Sequence, residues 1–78
     1  MQEFRVRLRS FQEVRDFIRL STQQPFRVFL ENDHQRVNAT SYMGLVSLDH
    51  SEDLRVSTDC SEGEYREFCR QAARFMVD

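Results

Sequence analysis

Few side chains in this chain are of a type and spacing that could do chemistry. Its two histidines, His34 and His50, stand sixteen positions apart in polar, turn-like stretches, with no second ligand or nucleophile beside either. A nucleophilic triad needs an imidazole within reach of a nucleophile and a carboxylate to orient it, so both histidines read as solvated loop residues. The two cysteines, Cys60 and Cys69, are too few for a disulfide framework and wrongly spaced for a zinc knuckle. They read as small buried hydrophobes of a reducing compartment. Glu62 and Glu64 form a close carboxylate pair, but in the first turn of a helix, where the dipole favours negative charge. Gly44 and Gly63 are the only glycines, which rules out a glycine-rich phosphate cradle. The set predicts no enzymatic activity, no cofactor and no metal.

The chain that must position these residues is short. Its 78 residues make one domain (1–78), which buries only about 60–65% of its unfolded surface and has little interior for a deep cleft. Hydrophobic residues at 40% and charged residues at 31% are the composition of a globular fold rather than a disordered one. The longest apolar run is too short to span a bilayer, and Met1 leads straight into the charged "QEFRVRLR" without a signal-peptide pattern. No membrane association and a cytoplasmic location are therefore expected. Net charge is −2, and all eleven basic residues are arginine. No block of like charge announces a nucleic-acid or anionic-membrane footprint.

Hydrophobic periodicity then sets out the elements. "EFRVRLR" (3–9) alternates strictly, with Phe4, Val6 and Leu8 on one side and Arg5, Arg7 and Arg9 on the other, the period of a half-buried strand. From Ser10 to Gln23 the period becomes helical, with Phe11, Val14, Phe17 and Ile18 on one face. Ser10 and Glu13 read as a capping box. Pro25 forbids continuation, and "FRVFLE" (26–31) is a second strand with Phe26, Val28 and Leu30 inward. "NDHQ" (32–35) is a turn, "RVNAT" (36–40) a short return strand, and 41–48 a short helix capped by Ser41. After a polar loop, "LRVSTDC" (54–60) is the last strand. Residues 61–77 form the clearest helix, opened by a Ser61–Glu64 capping box and striped by Tyr65, Phe68, Cys69, Ala72, Phe75 and Met76. The order is β-α-β-β-α-β-α, which predicts an α+β fold with a four-stranded sheet and three helices on one face.

The open sheet face would display Arg5, Arg7, Arg9, Arg27, Phe29, Glu31, Arg55, Ser57 and Asp59. RNA-recognition domains use such a face with stacking aromatics, but Phe29 is the one aromatic there. Glu31 and Asp59 predict cross-strand ion pairs instead, so nucleic acid is not the expected partner. The apolar run "TSYMGLVSL" (40–48) is more informative. A helix of barely two turns is not stable by itself. Leu45 and Leu48 can face the sheet, which leaves Tyr42, Met43 and Val46 as exposed apolar surface, the signature of a docking patch.

The element order, together with "RVFLENDHQRVNATSYMGLVSLDHS", resembles the histidine-containing phosphocarrier (HPr) family of the bacterial sugar phosphotransferase system. The match runs over nearly the whole chain and is most specific in "NATSYMGLVSL". The resemblance implies an HPr-like open-faced β-sandwich. It also implies that Ser41 aligns with the serine phosphorylated by an ATP-dependent HPr kinase, and that Tyr42, Met43 and Val46 align with the surface that meets phosphotransferase enzymes and transcriptional regulators. Thr40 stands where the family has a lysine, and Tyr42 where it has an aliphatic residue. The phosphate-accepting histidine falls on Ser10, the arginine two places on falls on Gln12, and the following proline on Glu13. "LRSFQE" thus replaces the family's Gly-x-His-Ala-Arg-Pro. A serine phosphate ester is far less energetic than a phosphoimidazole, so phosphocarrier activity is expected to be lost. The chain looks like a divergent, histidine-lacking member, similar to the HPr-like catabolite repression protein. Protein partners are expected: HPr kinase or a transcriptional regulator where family behaviour is retained. The alternatives are an HPr fold recruited to an unrelated binding role, and an RNA-binding domain that uses the arginine face.

Overall fold

A computed structural model of the chain describes residues 2–77. The elements follow as β1 (Gln2–Val6), α1 (Phe11–Thr22), β2 (Val28–Glu31), β3 (Arg36–Asn38), α2 (Tyr42–Val46), β4 (Leu54–Thr58) and α3 (Glu62–Gln71), with a 3-10 turn at Ala73–Phe75. The sheet order is β1-β4-β2-β3, and every pairing is antiparallel. Register places Phe4 and Leu30 on either side of Val56, and Val6 beside Leu54. These side chains, with Val28, lie on one face and are buried with Val14, Phe17, Leu45, Phe68, Ala72 and Phe75. The expected α+β architecture is the observed one.

At the outer edge of β1, Arg7 N–H donates to Phe75 O (2.8 Å) and Val77 N–H to Arg5 O (3.1 Å). Residues 75–77 thereby cover a strand edge that would otherwise be open to pairing. This is why the last helix does not run to residue 77 as its stripe predicted. It stops at Gln71 and tightens into the 3-10 turn, which sets Phe75 edge-on to Phe17 (5.4 Å, 88°) and leaves Met76 extended.

The strands are shorter than alternation predicted. β1 ends at Val6, and the Arg7 side chain just beyond it donates to Ser51 O (2.6 Å) and pairs with Asp53 (3.5 Å). Arg7 and Arg9 thus lie beyond the end of β1, Arg7 meeting the residue next to Leu54 that its register would give it, and Leu8 stays buried. Arg27 and Asp59 also fall outside the strands, tied by Arg27 N–H donating to the Asp59 carboxylate (3.3 Å). The expected ion pairs through Glu31 and Asp59 are not the ones formed; Arg55 reaches Asp33 (3.2 Å) in the β2–β3 turn instead. Arg5 and Arg55 are directly opposite in register, and like charges so placed repel, so Arg55 is drawn away toward Asp33 and Asn32 O. Ser57 faces the open side, yet it is fully buried between its register neighbours Glu3 and Phe29. The cysteines are free and half-buried rather than buried, and Cys69 packs against the core.

Candidate functional site

The site begins where α1 starts. Ser10 is its N-cap, in extended backbone (φ −148°, ψ 163°), and its Oγ accepts the Glu13 N–H at 3.1 Å. Glu13 reaches back one residue further than a reciprocal box requires and accepts the Arg9 N–H at 2.6 Å. Gln12 donates to Asp16 (2.8 Å) one turn along. Ser10 and Gln12 are thus both engaged by α1 itself, one as its cap and the other with a side chain one turn along.

α2 lies beside it. Ser41 caps this five-residue helix, its Oγ accepting the Gly44 N–H at 3.1 Å, and its own N–H donates to Asn38 O (2.9 Å). A Cβ on Gly44 would meet Val37 Cβ at 3.1 Å, so glycine lets the helix lie this close to β3. Leu45 and Leu48 are buried, while Tyr42, Met43 and Val46 are 42%, 75% and 39% exposed. Five residues cannot bury an apolar residue on every side, and the sheet takes only one flank.

A fourth apolar side chain joins them. Phe11 was expected on the core stripe of α1, but it is 62% exposed and its ring lies 5.7 Å from that of Tyr42. The buried residues of α1 are Val14, Phe17 and Ser21. At about 100° per residue, these define a stripe from which Phe11 is turned aside, on the same flank as half-buried Ile18. Ser21 was the signal that could have placed it: counting the serine as core shifts the axis of the stripe away from Phe11.

His50 also departs from the solvated reading. Its Nε2 lies 2.6 Å from Leu45 O, which fastens the 49–53 loop to the last turn of α2, and its Nδ1 is buried without a partner among the described residues. His34 is exposed in the β2–β3 turn, 16 positions away in sequence, and the fold does not bring it to this site.

The tilted Phe11–Tyr42 pair separates two shallow recesses. One, of about 320 Å³, is walled by Leu8, Arg9, Ser10, Val14, Val46 and His50 on the Phe11 side. The other, of about 480 Å³, is walled by Arg15, Ile18, Arg19, Thr22 and Gln23 on the Tyr42 side. On the opposite surface, the open sheet face presents its one aromatic already covered: the Arg36 guanidinium lies 4.2 Å over the Phe29 ring.

This geometry of an antiparallel sheet with α1 and α2 meeting at one end has a counterpart among solved structures. The chain is similar to HPr-C-His from Thermoanaerobacter tengcongensis, with a TM-score of 0.75 over 95% of this chain and 92% of that one, at 21% identity. The fold is HPr-like. No protein-family model matches the sequence, and no curated protein does, so the likeness is one of backbone architecture. Within this HPr-like frame, the described residues hold no cluster of three His, Cys, Asp or Glu side chains suited to a metal ion. No helix among them is long and apolar enough to cross a membrane.

Proposed function

We propose that this HPr-like chain is a non-enzymatic protein-interaction or regulatory module related to the bacterial sugar phosphotransferase system, without histidine phosphocarrier activity. The observation that carries the reading is the exposure of Met43 (75%), together with Tyr42, Val46 and Phe11, on adjoining helix ends. Large apolar side chains gathered on one surface are the usual mark of a docking site. At α1, Ser10 offers a hydroxyl already engaged with Glu13 N–H, in a place where a phosphohistidine carrier needs an imidazole. The work of the module would be done in the cytoplasm of a bacterium, in carbohydrate regulation of the catabolite-repression type.

Ser41 is the candidate regulatory phosphosite of this reading, with HPr kinase as the enzyme and a transcriptional regulator as the partner. Its side chain is exposed and adjoins Tyr42 in sequence. A phosphate would add about −1.5 to −2 charges at the border of the apolar surface, which alters partner choice without disturbing Leu45 beneath. The test is capture of partners by the tagged protein, with and without prior treatment with HPr kinase and ATP, read by mass spectrometry. Wild-type protein is expected to retain a partner that Met43→Asp loses, at an unchanged unfolding midpoint. Identical capture by Met43→Asp overturns the docking reading, and an unchanged intact mass after kinase treatment removes the Ser41 arm.

A further inference from the structure

Away from the docking surface, we infer that the recess between the second half of α1 and the end of α3 binds a small monocarboxylate with a compact apolar body. This recess has a volume of about 220 Å³, and no residue of α2 lines it. Leu20 and the buried Phe75 form its apolar wall, and its polar groups come from Asp16, Arg19, Gln23, Gln71 and Arg74. Pockets for drug-sized ligands run to about 300–1,000 Å³, so a space of this size suits a ligand of a single ring or a short chain.

The hydrogen-bonding capacity left in the recess decides the ligand's chemistry. Its acceptors are already engaged within the protein. Asp16 Oδ1 accepts from the Gln12 amide (2.8 Å) and Asp16 Oδ2 from Arg74 Nη2 (2.8 Å). Gln71 Oε1 accepts from Gln24 Nε2 (3.1 Å). The donors are in surplus. The Gln71 NH2 and the Arg19 guanidinium have no hydrogen-bond acceptor among the described residues, Arg74 keeps further N–H groups, and the exposed Gln23 adds an amide that can turn its NH2 inward. Charge points the same way. Two guanidiniums face one carboxylate, and Arg74, Gln12 and, at longer range, Arg19 hold the Asp16 carboxyl below its usual value. With Asp16 ionised and taken up by Arg74, one positive charge remains, which matches a monoanion rather than a dianionic phosphate. Guanidinium and amide groups are planar donors whose geometry fits a carboxylate, while Leu20 and Phe75 meet the apolar body.

The test titrates isotope-labelled protein with benzoate, with benzylammonium as a cation of similar shape, and with inorganic phosphate. Benzoate is expected to shift the amide resonances of Leu20, Gln23, Gln71 and Phe75 and to saturate in the millimolar range, as befits so few atoms. Gln71→Glu keeps the acceptor for Gln24 and the side-chain shape but exchanges the free NH2 for an anionic oxygen, so benzoate affinity is expected to fall at least roughly tenfold. Arg19→Gln, an exposed change on α1 that leaves the Asp16–Arg74 pair in place, is expected to weaken it severalfold, and Met43→Asp to leave it unchanged. The inference is overturned by the absence of a saturable shift, by benzylammonium binding as well as benzoate, or by tighter binding of phosphate. Unchanged affinity in both Gln71→Glu and Arg19→Gln, or loss of binding in Met43→Asp, overturns it equally.

Discussion

Phe11 and Phe17 lie six positions apart on α1 and should respond to truncation to very different degrees. Phe17 is fully buried, edge-on to Phe75 and 6.4 Å from the ring of Phe68. Its replacement by alanine loses both transfer free energy and packing, about 3–5 kcal/mol. That is a large share of the stability of a domain this small, on the order of 4–12 kcal/mol. Phe11 is 62% exposed, so only about a third of its side chain is sheltered, worth about 1 kcal/mol. The tilted contact with Tyr42 adds roughly 0.5 kcal/mol, and the better helix propensity of alanine returns a similar amount. The net cost of Phe11→Ala is therefore about 1 kcal/mol, some 3 kcal/mol below that of Phe17→Ala. Urea unfolding followed by circular dichroism measures both, with an unchanged m-value as the check that the unfolded states are comparable. If Phe11→Ala proves as costly as Phe17→Ala, Phe11 belongs to the core and is no part of the exposed apolar surface around Tyr42.

Three further outcomes follow from the contacts. Ser61→Ala removes the acceptor of the Glu64 N–H and one half of the capping box, and should lower stability by about 1 kcal/mol in the same assay; no change would mean the cap is idle. The Arg74 guanidinium, and then the Gln12 amide, hold the Asp16 carboxyl below its usual 3.8. A depressed folded-state value stabilises above the unfolded value and is lost as pH falls through the folded one, so Asp16→Asn should flatten the loss of stability below about pH 4. An unaltered acid limb would refute the assignment. Incubation with phosphoenolpyruvate and the first enzyme of the phosphotransferase system is expected to leave the mass unchanged, and a phosphorylated product would overturn the loss of carrier activity.

Much of the fold was legible because each local signal agreed with the others. The Ser61–Glu64 capping box is formed as its spacing implies, and alternation in "RVFLE" and "LRVST" placed Leu30 and Val56 inward, where they are fully buried. The signals that failed were those in which a distant segment competes. Arg7 continues a perfect alternation and yet lies past the end of β1, where its backbone N–H is taken by Phe75 O from the end of the chain. Residues 76–77 continue a helical stripe and yet run extended, because the edge of β1 offers Val77 N–H an acceptor at Arg5. His50 looked solvated because the acceptor that holds it, Leu45 O, is a backbone atom with no sequence signature.

By itself the sequence determined which segments are helix and strand, that Ser10, Ser41 and Ser61 begin helices, and that a two-turn segment would carry more apolar residues than it could bury. Those are properties of period and of side-chain capping, settled within a few residues of chain. Only the tertiary structure decided that Phe11 turns outward to meet Tyr42 and that hollows flank that contact. Such features arise where two helix ends from different parts of the chain converge, and the packing of each against the sheet, rather than its own periodicity, sets which side chains are left facing out.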